Sequence, residues 1–371
     1  MSCAATALRL FPDGKALARA RDRGMKRRTF VVSLSTCGGA WAAPVSPALD
    51  RRALTVRAPS RAVLLGVARA GDRFVAVGER GIAVISDDGC RTWGQAQVPV
   101  SVSLTAVAFA DDRRGYATGH GGTVLGTTDG GLTWTRLLDG RAIALKMQEA
   151  AMRGGDAAQR QAADRMMADG PDKPLLDLVV SSPSEVFVVG AYGLALTTSD
   201  GGHTWSVRSS LLDNPKGLHL YAVRRRGQVV AIAGEQGLVL RSDDGGRSFR
   251  KLSLPYQGSF FTLELPSGEG MVTAGMRGNV WRSPDAGSTW QQLPSPSAAA
   301  IVASGLRPDG SFVLASQAGQ LISDTGASLE VMKLPPLPPL TGVLPLPGEA
   351  LLALSVEGAH LFPPLAGKTT S

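Results

Sequence analysis

One pattern recurs seven times along this chain of 371 residues, and it leaves few folds open. Each copy is an apolar stretch, a Gly-x-x-Gly turn and a second apolar stretch. In five copies S/T-x-D-x-G-x-T-W or a near variant follows. The first copy is FVAVGERGIAVISDDGCRTW at 74–93; YATGHGGTVLGTTDGGLTW begins at 116 and VFVVGAYGLALTTSDGGHTW at 186. VVAIAGEQGLVLRSDDGGRSF begins at 229 and MVTAGMRGNVWRSPDAGSTW at 271. Two decayed copies, FVLASQAGQLISDTGASL and LLALSVEGAHLFPP, begin at 312 and 351. The second glycine of each turn stands at Gly81, Gly122, Gly193, Gly237, Gly278, Gly319 and Gly358. The copies are therefore 39–44 residues apart, save one interval of 71. A fixed period of this length marks a solenoid, a propeller or an array.

The period decides among them. In the second unit, Leu104–Ala108, Tyr116–Gly119, Thr123–Thr127 and Thr133–Leu137 alternate or run apolar between Gly/Asp turns, which predicts four short antiparallel strands. Seven such units predict an all-β, seven-bladed propeller of four-stranded blades. A two-layer sandwich would account for the strands but not for seven near-equal copies. The last copy ends before a fourth strand, while Arg51–Arg57 alternates like one. Residues 51–57 are therefore expected to close the ring by pairing with Ala359–Phe362, sparing the last blade an open edge.

The long interval holds an insertion, residues 141–172. Ala142–Met152 and Asp156–Met167 read as helices broken at Gly154-Gly155, and Met147, Met152, Met166 and Met167 would give an adaptable surface or pack on the blade. The period is intact on both sides, which predicts that the insertion can be removed without loss of the fold.

Ahead of the repeats, Met25 opens a second start: Lys26-Arg27-Arg28, an apolar Phe30–Leu34, and an Ala40-Trp41-Ala42 cleavage pattern. Residues 1–42 thus read as an upstream extension plus export signal, and 43–371 as one propeller domain. Arg27-Arg28-Thr29-Phe30 also resembles a twin-arginine signal, and Leu34–Cys37 a lipoprotein box with Cys37 as the anchor; simple cleavage near Ala42 is the default. The expected location is the periplasm. Residues 1–42 carry eight of the 39 Lys/Arg and two of the 31 Asp/Glu, so the remainder is only +2. That near-balance removes the basic-chain argument for nucleic acid. Cys90 is the one cysteine beyond residue 42, so no internal disulfide can staple the domain.

The recurring S/T-x-D-x-G-x-T-W is an Asp-box, the bacterial-neuraminidase repeat. Asp88, Asp129, Asp200, Asp244 and Asp285 are expected to accept turn N–H groups, and Trp93, Trp134, Trp205, Phe249 and Trp290 to pack between blades. Cys90 stands where the other turns have glycine, which predicts a differently built first turn. Five equivalent carboxylates spread around a ring cannot converge on one substrate. Sialidases add an Arg-Ile-Pro segment, an arginine triad and a Tyr–Glu pair. This chain has no Arg-Ile-Pro, and none of its four Tyr sits in a recognisable site. His120, His203, His219 and His360 lack metal-ligand spacing, and no phosphate loop is present. No enzyme activity, cofactor, metal or small-molecule substrate is expected.

The unit VGxxGxhxxSxDGGxTW, seven blades, an export signal and an insertion after the second blade resemble the photosystem II stability/assembly factor family. The resemblance implies a scaffold that assists assembly of a membrane-protein complex, and photosynthetic members are described as using an arginine-rich surface. Arg113-Arg114 and Arg224-Arg225-Arg226 are the basic clusters here, or else solvated hairpin tips. Second-to-third-strand turns and interblade crossovers share one face of a propeller. That face should carry Glu79, Arg80, His120, Tyr192, Glu235, Gln236, Met276, Arg277, Gln317 and Glu357, residues that vary while their flanking glycines recur. They, with Arg224–Arg226, are the candidate partner-binding residues. The expected partner is a protein, an inner-membrane complex or transporter, bound by a monomer; a carbohydrate-active propeller with a degenerate site is the alternative.

Overall fold

The computed structural model describes residues 46–364 apart from Ser267. The expected export signal, with Met25 and Cys37, lies outside the described residues. Within them the chain is a seven-bladed β-propeller whose antiparallel blades span 64–95, 104–138, 175–207, 220–251, 260–293, 301–331 and 340–362. The first six blades are four-stranded and the seventh has three strands. Second strands such as Val186–Gly190 and Leu351–Ser355 are buried at every residue. They lie mid-blade with a neighbouring blade on each face, so they read as unbroken apolar runs. Outer strands such as Arg250–Lys251 are exposed and polar.

The inner strands, Leu64–Ala70 through Leu340–Pro345, surround a central channel. Each one slips register after its first residue, for example between Leu64 and Gly66 and between Leu340 and Gly342. A bulge of this kind leaves one residue unpaired and re-aims it. The residues skipped, among them Leu65, Thr105, Tyr221, Phe261 and Thr341, line the channel.

Glycine recurs in the second-to-third-strand turns because the crossover to the next blade lies against it. Gly81 has φ +74, and a Cβ there would stand 2.1 Å from the Val100 carbonyl oxygen. Gly358 in the seventh blade has φ +114, and its Cβ would meet the Ser60 carbonyl oxygen at 1.9 Å. Residues around Ser60 thus fill the crossover place between the last blade and the first.

The segment before them goes elsewhere than expected. Residues 51–57 form no strand and do not pair with Gly358–Phe362. Instead residues 46–56 strap the first two blades. Leu49 is buried against Gly121, Ala53 N–H donates to Val98 O at 3.1 Å, and Val56 N–H to Gln95 Oε1 at 2.9 Å. The reason is local. In the alternating stretch Leu54 is 72% exposed, whereas Leu49 finds a socket and Asp50 meets Arg136 at 3.1 Å and Arg141 at 2.8 Å. The seam between seventh and first blades is therefore closed by side chains: Leu354 packs with Leu64, Ala76 and Val84, and Thr341 Oγ1 donates to Leu64 O at 2.5 Å.

Hydrogen bonds from Arg141 and Arg136 hold the Asp50 carboxyl at about 2. A lowered carboxyl pKa contributes stability above the unfolded value and loses it only as pH falls through the folded one. Strap amides should therefore keep their hydrogen-exchange protection from pH 7 down to about 3.5 and lose it nearer pH 2, while Asp50→Asn exchanges at least tenfold faster than the parent above about pH 3.5 and converges with it near pH 2. Protection already gone at pH 4.5 in the parent would show that the ion pairs do not hold the strap.

The insertion forms two helices, α1 (Gly140–Met152), capped by Asp139, and α2 (Ala157–Asp169), which opens with an Asp156/Gln159 capping box. They emerge beside His120–Gly122, on the face of the turns. Ile143, Ala144 and Met166 are buried in one cluster with Val124, Leu194 and Trp205, and Met147 packs against it; Met152 and Met167 are exposed. The helices cover blade core, so the insertion is no removable appendage. An unbroken period reports connectivity and is blind to this packing.

Candidate functional site

The turns on the helix-bearing face share one unusual feature. In four of them the middle residue is not glycine yet has a left-handed backbone: Arg80 (φ 56), Tyr192 (φ 56), Gln236 (φ 52) and Arg277 (φ 56). In the second blade Gly121 (φ 69) holds the same place without strain. Each non-glycine residue there costs on the order of 1 kcal/mol. All four side chains are exposed, Tyr192 by 62%, as are Glu79, His120, Met276, Gln317 and Glu357.

Tyr192 and Glu235 are joined through a residue the sequence reading passed over. Tyr192 N–H donates to His219 Nδ1 at 2.9 Å, His219 N–H donates to Glu235 Oε2 at 2.9 Å, and the Tyr192 and His219 rings meet edge-on at 4.7 Å. Lys173 lies 5.0 Å from the centre of the Tyr192 ring, its ammonium held by Asp169 and Asp172 at 2.7 and 2.6 Å. Burial works against the Lys173 charge, but the two carboxylates outweigh it and raise the pKa. The signal for His219 was its place: it precedes an inner strand where other units carry Val63, Ser103, Pro174 or Ser259, and its carbonyl lies against Gly234 as theirs do against the equivalent glycines. Tyr192 is thus a rigid aromatic platform. Among the described residues no hydrogen bond or ring contact joins it directly to Arg80, His120 or Arg277.

The run Arg224-Arg225-Arg226 is split three ways. Arg224 lines the channel, where its Nη1 meets Asp177 at 2.7 Å and its Nε meets Glu264 at 3.5 Å; Ser304 Oγ donates to Glu264 at 2.7 Å. Burial opposes its charge, yet Asp177 and Glu264 raise its pKa further still. Arg225 Nη1 donates to Ser181 Oγ at 2.7 Å on the Asp-box side, and Arg226 bonds the Pro266 carbonyl at an exposed tip. Arg225 shares a groove of about 360 Å³ between the third and fourth blades with Arg208 and Arg247, neither singled out from sequence because they are far apart along the chain. Phe249 replaces tryptophan at that interface. Arg113 and Arg114 sit beside Asp111, whose carboxylate accepts both their N–H groups, so that pair belongs to a hairpin tip.

The Asp-box carboxylates face their own turns. Asp129 accepts from Thr133 Oγ1 at 2.6 Å, Thr133 N at 3.0 Å and Thr127 Oγ1 at 2.8 Å; Asp88, Asp200, Asp244 and Asp285 repeat the set. Hydroxyl and then backbone donors pull Asp88, Asp200 and Asp244 far below the usual carboxylate range and lower Asp285 as well; in Asp129 the same donors overcome burial. Cys90 does not change the turn: it takes φ 68, and its N–H meets Ser86 Oγ at 2.9 Å, as Gly131 N–H meets Thr127 Oγ1 at 3.0 Å. Trp134 and Trp205 are buried, with Nε1–H groups on Gly131 O and Gly202 O; Trp93, Phe249 and Trp290 are half-buried.

Residues 159–327 match the family described as "Photosynthesis system II assembly factor YCF48". Two curated relatives named "Photosystem II assembly lipoprotein Ycf48" align in part. That of Synechococcus sp. (strain CC9902) is 37% identical over 79 residues, 21% of this chain and 24% of the relative. That of Synechocystis sp. (strain ATCC 27184 / PCC 6803 / Kazusa) is 39% identical over 69 residues, 19% of this chain and 18% of the relative. The chain thus spans about a quarter or less of the curated relatives it matches. Among solved structures, "YCF48 from Cyanidioschyzon merolae" superposes with a TM-score of 0.61 at 15% identity, covering 82% of this chain and 96% of that one. "YCF48 bound to D1 peptide" gives 0.60 at 16%, covering 83% and 97%. The WD40 propeller domain of Doa1 gives 0.58 at 11%, covering 84% and 95%, so these likenesses speak for the fold alone. Over residues 159–327, a little under half of its length, the Asp-box propeller is thus similar in sequence to the YCF48 photosystem II assembly factor family.

Proposed function

We propose that this protein is an exported, non-enzymatic assembly scaffold that holds an exposed segment of an inner-membrane protein complex or transporter. The observation that carries the reading is the strained backbone at Arg80, Tyr192, Gln236 and Arg277. Glycine would be cheaper at each position, and what the chain gains instead is four different exposed side chains on one face. Sparsely populated backbone states of this kind concentrate at binding sites. The peptide named in the YCF48 structure makes a protein segment the kind of ligand we assign here. Export rests on residues 1–42, and the relatives named as lipoproteins lend weight to Cys37 as an anchor.

The test exploits the same strain. Tyr192→Gly combined with Arg277→Gly should leave the melting temperature equal to or above the parent's, because glycine relieves a positive φ. The same variant should recover at least tenfold less of the membrane complex from detergent extracts, the scale of losing an aromatic and an arginine anchor. Recovery equal to the parent's would move the binding face elsewhere, and glycosidase turnover by the pure protein would overturn the non-enzymatic reading.

A further inference from the structure

The seventh blade ends on a strand built for the inside of a sheet. In the other six blades the third strand is covered by a fourth of two to four residues, such as Gly94–Gln95, Thr135–Leu138 and Gln291–Leu293. Each of those outer strands carries at least one polar or charged side chain: Arg250–Lys251 is fully charged, and Arg136, Gln292 and Glu330 stand on others. Gly358–Phe362, left outermost, contains no charged residue or proline, and Leu361 is 41% exposed. Natural edges are blunted by charge, proline or cover, and within Gly358–Phe362 there is neither charge nor proline.

The backbone groups waiting there are identifiable. In the first, third, fourth and sixth blades the residue two after the turn glycine (Ala83, Ala195, Val239, Leu321) accepts from the N–H of the residue that follows the fourth strand (Ala96, Arg208, Leu252, Met332). His360 holds that place after Gly358. No described residue pairs with the outer side of this strand. Pro364 lies beside Gly348, in the turn joining the two inner strands of the blade, and the N-terminal strap is fastened to the first two blades.

We infer that this edge takes a short extended segment of a partner protein as its fourth strand, apolar at alternate positions and acidic at its C-terminal end. Every outer strand here runs antiparallel to its neighbour, so an added strand would finish beside the turn at Gly358. Arg61 lies against that glycine, and Arg57 follows Val56, which packs near Ala359; both arginines are exposed. Main-chain bonds then supply affinity, and the arginines set direction, as in other strand-addition complexes. The inference deepens the partner-holding reading above and uses a separate part of the surface.

A fluorescent nine-residue peptide of alternating Thr and Val ending in two Asp serves as the probe, followed by anisotropy. Binding should weaken at least tenfold with Leu361→Lys, and at least fivefold with Arg57→Glu plus Arg61→Glu or when the peptide ends in two Lys. Replacing residues 363–371 with a copy of residues 325–331, the turn and outer strand of the sixth blade, should fill the edge in cis and abolish binding without lowering the melting temperature. Hydrogen exchange should slow on probe addition at His360 and Phe362. Unchanged binding by the cis-filled chain, or protection elsewhere, would overturn the inference. So would tighter binding after deletion of 365–371, which would make the chain's own tail the occupant, or a dimer that Leu361→Lys disperses. The Tyr192→Gly/Arg277→Gly variant should bind the probe like the parent, so the turn face and the edge can fail separately.

Discussion

Trp205→Ala should destabilise the protein by about 3–5 kcal/mol, the usual range for deleting a buried aromatic side chain. Trp205 is 5% exposed and sits among Leu138, Leu178 and Val188, at the joint of the second and third blades. Its Nε1–H is satisfied inside its own turn, by Gly202 O at 3.2 Å, so the loss has two parts: an interblade cavity and a carbonyl left without its donor. Trp134→Ala should cost as much, because Trp134 is 4% exposed and meets the Phe109 ring edge-on at 6.2 Å. Trp290 is half-buried, and Trp290→Ala should cost about half as much by the smaller area removed from water. Urea unfolding of the three variants checks the order; equal losses would mean that the aromatics act within their turns and not between blades.

Arg224→Met should be comparably damaging for a different reason. The guanidinium stands between Asp177 and Glu264, whose side chains are 16% and 8% exposed, and removing it leaves two facing carboxylates without a counter-charge. Breaking a buried pair in this way costs about 3–5 kcal/mol. Adding Glu264→Gln should recover at least half of the deficit, because it removes one of the two charges left without a partner. A double variant as unstable as Arg224→Met would place the damage in packing.

The blades were legible because their information is local and repeated. A carboxylate that bonds the hydroxyl and N–H four residues on needs nothing from the rest of the chain, so Asp129 and its equivalents could be placed from spacing alone. Where a segment chooses among distant neighbours, local pattern fails. Arg51–Arg57 alternates like a strand, but Leu49 and Asp50, just outside it, decide where it goes. Arg224, Arg225 and Arg226 look like one cluster in a line of text; on a strand ending in a hairpin they face the channel, a groove and solvent. Cys90 was read as a break in the motif because cysteine seldom adopts a positive φ, and the two hydroxyl-anchored ends of the turn impose it nonetheless.

The seam between the last blade and the first has a consequence for how the ring forms and how it fails. At every other interface the chain passes directly from one blade to the next, so docking closes a short loop. At the seam Leu64 must meet Thr341, 277 positions away, with no shared sheet to zip the two blades together. Loop-closure entropy makes such contacts late in folding, and side-chain packing alone makes them the first to part. The propeller should therefore breathe as a clasp opening at one point, with exchange spreading outward from the first and seventh blades while the third and fourth stay shut. A strand bound along the edge of the seventh blade would stiffen one jaw of that clasp, so capture of a partner and closure of the ring should reinforce each other.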